Sequence, residues 1–187
     1  VFKDFDPVIK AASNPILLVA HPSLNARTVQ EFITAARNTP QELSYTSIGT
    51  GSPHHIAGEL FKRQAKVGMI HIPYKGAAPA IQDVLGGQVK AMFMGLGAVA
   101  PHMKSGRLIA IAVTDKQRTP LMPSVPTLAE GGLSGAEVEA WFGVFVTAGT
   151  PQNVVLRLNR EINVAMKVSE VRERLSAGGF DVVGGTP

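Results

Sequence analysis

Leu43-Ser44-Tyr45-Thr46-Ser47-Ile48-Gly49-Thr50-Gly51-Ser52-Pro53-His54-His55 holds, in one short run, a strand, a glycine turn and the opening of a helix. Ser52 is a preferred N-cap, and Pro53 suits the first helical position because its missing N–H is not needed there. Ile56, Leu60 and Phe61 are the expected apolar stripe of that helix. The same order recurs downstream. Val67–Ile72 reads as a strand, Pro73-Tyr74-Lys75-Gly76-Ala77-Ala78 as a turn, and Pro79–Leu85 as a helix stopped by Gly86-Gly87. Val89–Met94 is a third strand, Gly95-Leu96-Gly97 a third turn, and Ala98–Lys104 a third helix before the strand Leu108–Val113.

Upstream, the five apolar residues Ile16–Ala20 form a buried strand emptying into His21-Pro22-Ser23. Thr28 and Glu31 have capping-box spacing, and Val29, Phe32, Ile33 and Ala36 repeat at helical period until Pro40 closes the helix. Strands alternating with helices imply an α/β fold with parallel pairing, helices on both faces, and a ligand crevice beyond the carboxyl ends of the strands. From Asp115 the texture changes, since Pro120, Pro123 and Pro126 suit a crossing segment better than a regular element. Thr127 and Glu130 form a second capping box, Trp141–Val146 reads as another apolar strand with Trp141 in the core, and Thr150-Pro151 opens the longest helix, with Val154, Val155, Leu158, Ile162 and Ala165 on one face. A last helix spans Ser169–Ala177.

Composition narrows the chemistry. The 187 residues are 45% apolar and 17% charged, with 18 Lys+Arg against 14 Asp+Glu and a net charge of +4. That mild excess would attract a small organic acid but falls far short of a nucleic-acid groove. The absence of cysteine removes disulfides, thiolate metal sites and cysteine nucleophiles. No apolar run approaches the roughly 18 to 20 residues that cross a bilayer, so no direct membrane insertion is expected. The opening Val1-Phe2-Lys3-Asp4-Phe5-Asp6-Pro7 has no leader character and reads as an internal start.

Ser47, Gly49, Thr50, Gly51 and Ser52 are the leading candidates for a ligand site. Free N–H groups at a helix start carry partial positive charge, glycines admit close approach, and the hydroxyls add donors for a carboxylate. The same residues equally make an ordinary capped turn. No Lys-Ser/Thr pair ends the loop, so it is not a nucleotide-triphosphate cradle. Tyr74, Lys75, Gly76 and Ala77 form a second candidate, although spacing alone favours a solvated lysine and a packed tyrosine. If the strands are parallel, these turns and Gly95-Leu96-Gly97 share one crevice. His54 and His55 are adjacent and cannot readily chelate one ion, so no metal and no cofactor is expected. A Ser52–His54 esterase lacks both a nucleophile elbow and an orienting acid, so no catalytic residue is assigned.

Taken in order, Ser47–His55, His71-Ile72-Pro73-Tyr74-Lys75-Gly76-Ala77-Ala78-Pro79-Ala80, Leu85-Gly86-Gly87-Gln88-Val89, Pro123-Ser124-Val125-Pro126-Thr127 with Glu130 and Gly132, Trp141-Phe142-Gly143 and Gly149-Thr150-Pro151 closely resemble the substrate-binding proteins of tripartite tricarboxylate transporters, the Bug family. The resemblance covers nearly the whole chain. It implies a two-lobed periplasmic receptor of the type II binding-protein kind, with mixed sheets flanked by helices. Such a receptor closes over a small carboxylate and delivers it to membrane permease subunits without a reaction. The resemblance places the family's ligand contacts at Ser47–Ser52 and the Tyr74–Ala77 turn, and His54 beside the first is counted with them. It also implies that residues 15–118 form the central lobe and residues 1–14 with 119–187 form part of the first. Full members begin with a secretory leader and a first βαβ portion, so the first lobe is expected to be incomplete here. The alternatives are the effector domain of a transcription regulator, which requires a helix-turn-helix upstream, and the esterase.

Overall fold

A computed structural model describes residues 3–39 and 43–187. The chain divides into two compact units, Val1–Asn14 with Ala140–Pro187, and Pro15–Glu139. Among the described residues no helix is long and apolar enough to cross a membrane.

The Pro15–Glu139 unit is built on a sheet of β2 (Ile16–Ala20), β3 (Ser44–Ser47), β4 (Ile70–Pro73), β5 (Ala91–Gly95) and β6 (Ile109–Val113), in the order β4-β3-β5-β2-β6. β3 runs parallel to both β4 and β5. β2, in contrast, is antiparallel to β5 and β6 and lies between them. The sheet is therefore mixed, as the resemblance implied, and the parallel pairing read from the strand–helix alternation holds for β3 with β4 and β5. The β-strand period of two sorts the side chains to either face. Leu17, Val19, Met92, Met94 and Val113 pack on one side with α3 (Ala77–Leu85) and α4 (Leu96–Lys104), through Ala80, Ile81, Val84, Leu96 and Val99. On the other side Phe93 meets Tyr45 at 5.6 Å and Phe61 at 6.0 Å, and Phe61 meets Phe32 at 5.4 Å. These rings come from α1 (Val29–Asn38) and α2 (Pro53–Ala65), so helices do cover both faces.

The helix starts follow the sequence. Thr28 and Glu31 form both bonds of the capping box; Pro40, expected to close α1, lies outside the described residues. Ser52 caps α2 with Pro53 at its first turn. The stripe of α2 is shifted from the expected one, however. His54, Ala57, Gly58, Phe61 and Ala65 are buried while Ile56 is half exposed. Gly58 lets the helix approach the Tyr45 ring, which sits where a side chain would stand.

Residues 115–139 stay with this unit, whereas the return crossing was expected near Asp115–Pro120. Val125 and Leu128 are buried, Thr127 forms a parallel bridge with Val113, and Val138 donates to the Thr114 carbonyl at 2.9 Å. The Thr127–Glu130 capping box forms, with bonds of 2.7 and 3.0 Å. It starts no helix, because Gly131 and Gly132 follow at once and turn the chain.

The second unit pairs β7 (Ala140–Thr147), β1 (Phe5–Asn14) and β8 (Asp181–Val182) in an antiparallel sheet, with α5 (Gln152–Ala165) and α6 (Ser169–Ala177). Val8, Ile9, Val155 and Met166 form its small core. Trp141, expected in the core, is 51% exposed, and Phe142 and Phe145 of the same apolar strand are 51% and 47% exposed. Among the described residues, β7 buries Ala140 and leaves most of its other side chains exposed. Of the expected α5 stripe only Val155 is buried, packed against Val8 and Ile9 of β1 and Met166.

Candidate functional site

Parallel strands place their carboxyl ends on one sheet edge. The Ile48–Ser52 turn follows β3, Tyr74–Gly76 follows β4, and β5 passes directly into α4 with Gly95 as its N-cap. The first two turns touch. Tyr74 donates its N–H to the Ser47 carbonyl at 3.1 Å, and a Cβ at Gly49 would stand 3.7 Å from the Tyr74 carbonyl.

In the first turn the serine hydroxyls are engaged internally. Ser47 is fully buried. Its Oγ accepts from Gly49 N–H at 3.2 Å and lies 2.8 Å from His71 Nε2 and 3.1 Å from the Gly49 carbonyl. Burial makes the Ser47–His71 pair a tether, not an exposed nucleophile. Ser52 Oγ donates to the Gly49 carbonyl at 2.7 Å and accepts from His55 N–H at 3.2 Å. Ser52→Ala is accordingly expected to cost about 0.5–2 kcal/mol, read as a lower denaturation midpoint. An unchanged midpoint would contradict the cap. Gly51, at φ +82° where only glycine rests without strain, donates its N–H to His55 Nδ1 at 3.1 Å. Thr50 stands exposed at the tip.

His54 lies 7% exposed on the inward face of α2, and its Nδ1 makes no hydrogen bond among the described residues. Ser52 Oγ, as above, bonds to main-chain groups and not to His54, so the pair that the esterase alternative would need is not assembled.

The second turn divides its residues differently. Tyr74 gives its hydroxyl to the Asp83 carboxylate on α3. That bond, more than burial, pushes the phenol up to about 12. Lys75 is exposed. Gly76, at φ +111°, is the N-cap of α3 and supplies no side-chain bond to it. Gly95 likewise offers none to α4. The amides opening α3, beginning at Ala77, are therefore uncapped by side chains, and the helix dipole makes that end attractive to an anion.

Residues outside the sequence candidates hold this edge in shape. His71 is stacked between Tyr45, with centroids at 5.0 Å, and His55 at 4.1 Å. Glu59 accepts from the Tyr45 hydroxyl at 2.7 Å and from Lys62 Nζ at 2.8 and 3.1 Å. Burial alone would raise Glu59, but its bonds to Lys62 and Tyr45 and the nearby His55 leave it below the usual carboxylate range. Tyr45 is raised by burial and then by Glu59. The i,i+4 spacing of His55 and Glu59 was a visible signal for this group; the stacking of His71 on it required the β3–β4 register.

Burial lowers His54, and burial with the facing His55 and Lys62 lowers His71 despite Glu59. Each therefore binds a proton less readily folded than unfolded. The unfolded chain takes up more protons as pH falls through the ordinary 6.5 towards the lowered values. Stability should be full above that window and decline within it. Urea unfolding across the window checks this, and a flat profile would contradict it.

Residues 1–186 match the sequence model of the family described as "Tripartite tricarboxylate transporter family receptor". The chain is 40% identical over 186 residues to the "UPF0065 protein in tcbD-tcbE intergenic region" of Pseudomonas sp. (strain P51), covering 99% of this chain and 55% of that one. Among solved structures, Rpa4515 of R. palustris with adipate superposes with a TM-score of 0.87 at 35% identity, covering 100% of this chain and 62% of that one. MatC (Rpa3494) from Rhodopseudomonas palustris with bound malate gives 0.81 at 32% identity, covering 95% and 60%. The chain thus spans little more than half the length of the first of these relatives.

Proposed function

The chain belongs to the tripartite tricarboxylate transporter receptor family, and on that premise we propose that it binds a small organic acid at the turn edge of its central sheet, as a periplasmic receptor serving membrane permease subunits. The observation that carries this reading is the gathering, on one edge, of the glycine turns and of the start of α3, which has no side-chain cap. Main-chain N–H groups at Gly76 to Ala77, the exposed Thr50, and the ammonium of Lys75 supply positive potential without any group poised for bond cleavage. Ser47, Gly49, Gly51 and Ser52 shape the first turn and keep its backbone open to approach. His54 is buried on α2 two residues after the Ser52 cap and offers the acid little accessible surface. The relatives with adipate and malate bound support a carboxylate as the ligand class.

No transformation of the ligand is assigned, so the decisive measurement is binding. Adipate, malate, tricarboxylates and aromatic acids are titrated against the chain while its melting temperature is followed. An acid at about 100 times its Kd adds about 2.7 kcal/mol to stability. A rise of several degrees with one acid and no rise with its neutral amide supports the reading. A flat response to every acid overturns it.

A further inference from the structure

His55 sits at the junction of the glycine turn, the Tyr45–His71 stack and Glu59, and none of the roles above uses its proton. Its Nδ1 accepts the Gly51 N–H at 3.1 Å, and its Nε2 lies 4.0 Å from Glu59 Oε1. An accepting Nδ1 carries a lone pair, so the neutral ring holds its hydrogen on Nε2. The next proton has one place to go. It must bind Nδ1, the atom that secures Gly51, and it turns that acceptor into a donor facing another donor.

We propose that His55 is a positioning residue whose neutral ring latches the Gly49–Gly51 turn, and that protonation at Nδ1 releases the latch. The groups facing it from each neighbouring element fit this assignment. From α2 itself, the Glu59 carboxylate would hold the resulting cation, while Lys62 is already paired with Glu59 and Arg63 lines the same shallow recess. From β4, His71 stacks at 4.1 Å. From β3 come the neutral Tyr45 ring behind His71, and Ser47, which binds His71 Nε2. Two like charges at that stacking distance oppose each other, so the pair takes up one proton before two. His71 is the more constrained partner, since its Nε2 is bound to a buried serine and burial disfavours its charged form. The His55 side chain is 22% exposed, so water reaches it.

Release of Gly51 frees the main chain at the tip of the turn that the receptor reading assigns to the acid. The functional consequence, weaker acid binding on acidification, rests on that reading; the latch does not. The two are separated by observing Gly51 directly. In a ¹⁵N-labelled chain, the Gly51 amide resonance is followed across the imidazole range, together with its hydrogen-exchange protection corrected for intrinsic pH dependence. The expected result is one titration in which protection falls ten-fold or more on the acid side. His55→Asn places an amide oxygen near the Nδ1 position and cannot titrate, so it should hold Gly51 in place at every pH. His71→Gln, which keeps a group able to reach Ser47, should leave the Gly51 titration intact. A wild-type Gly51 amide indifferent to pH, an unchanged titration in His55→Asn, or its loss in His71→Gln would each overturn the latch. Failure of every acid to bind while Gly51 still titrates would overturn the receptor reading and support the latch.

Discussion

Replacing Phe61 by alanine is expected to destabilise the Pro15–Glu139 unit by about 3–5 kcal/mol, the range for truncating a buried aromatic side chain. Phe61 is 0% exposed and joins three elements, contacting Phe32 of α1 edge to face and Phe93 of β5. Loss of the ring removes both contacts and leaves a void between α1, α2 and the sheet, which a close-packed interior cannot simply collapse to fill. The same helix carries Ser52 and His55 at its start, so its seating decides where the first turn stands. Denaturant unfolding measures the effect. A loss below about 1.5 kcal/mol, the scale of a well-tolerated hydrophobic exchange, would show that this face of the sheet is not the packed core described above.

Gly58→Val is expected to cost about 3 kcal/mol, at the upper end for overpacking. Glycine inside a helix is itself unfavourable by roughly 0.5–1 kcal/mol relative to alanine, so its presence here calls for a reason. A Cβ at Gly58 would stand 2.2 Å from the Tyr45 ring and 2.7 Å from its hydroxyl. Tyr45 is fully buried, stacked on His71 and bonded to Glu59, and it cannot swing aside without losing both partners. The gain in helix propensity is therefore smaller than the clash. Two readouts should move together: the denaturation midpoint falls, and the Gly51 and His71 resonances shift because the stack is disturbed. A variant as stable as the parent would mean that α2 does not approach β3 at this closeness.

Much of the local structure is legible in the residues because its causes are local. Thr28 with Glu31, and Ser52 with Pro53, announce helix starts through side chains that satisfy nearby main-chain donors, and the structure forms both. The apolar run Ile16–Ala20 forms a fully buried strand. β1, in contrast, escapes a periodic reading, since register shifts between Pro7 and Ile9 and between Lys10 and Ala12 break its alternation. Trp141 and Phe145 mislead for a different reason. Hydrophobicity states a preference for burial, but exposure depends on what lies opposite, and β7 keeps both rings half exposed.

At the candidate site the residue types are visible in the chain and their tasks are not. Ser47, Ser52 and Tyr74 are all capable donors, yet the turn itself, helix α2 and Asp83 occupy their hydroxyls. Which polar groups stay open is a matter of distances of about 3 Å between segments far apart in the chain, and sequence spacing does not encode them. By itself the sequence determined the alternation of strands and helices, the glycine turns and the family, because capping, φ preference and motif order act over a few residues. The antiparallel insertion of β2, the assignment of residues 115–139 and the stacking of His71 on His55 were decided only by tertiary structure. Each depends on which neighbours hydrogen bonding and apolar burial bring across the sheet.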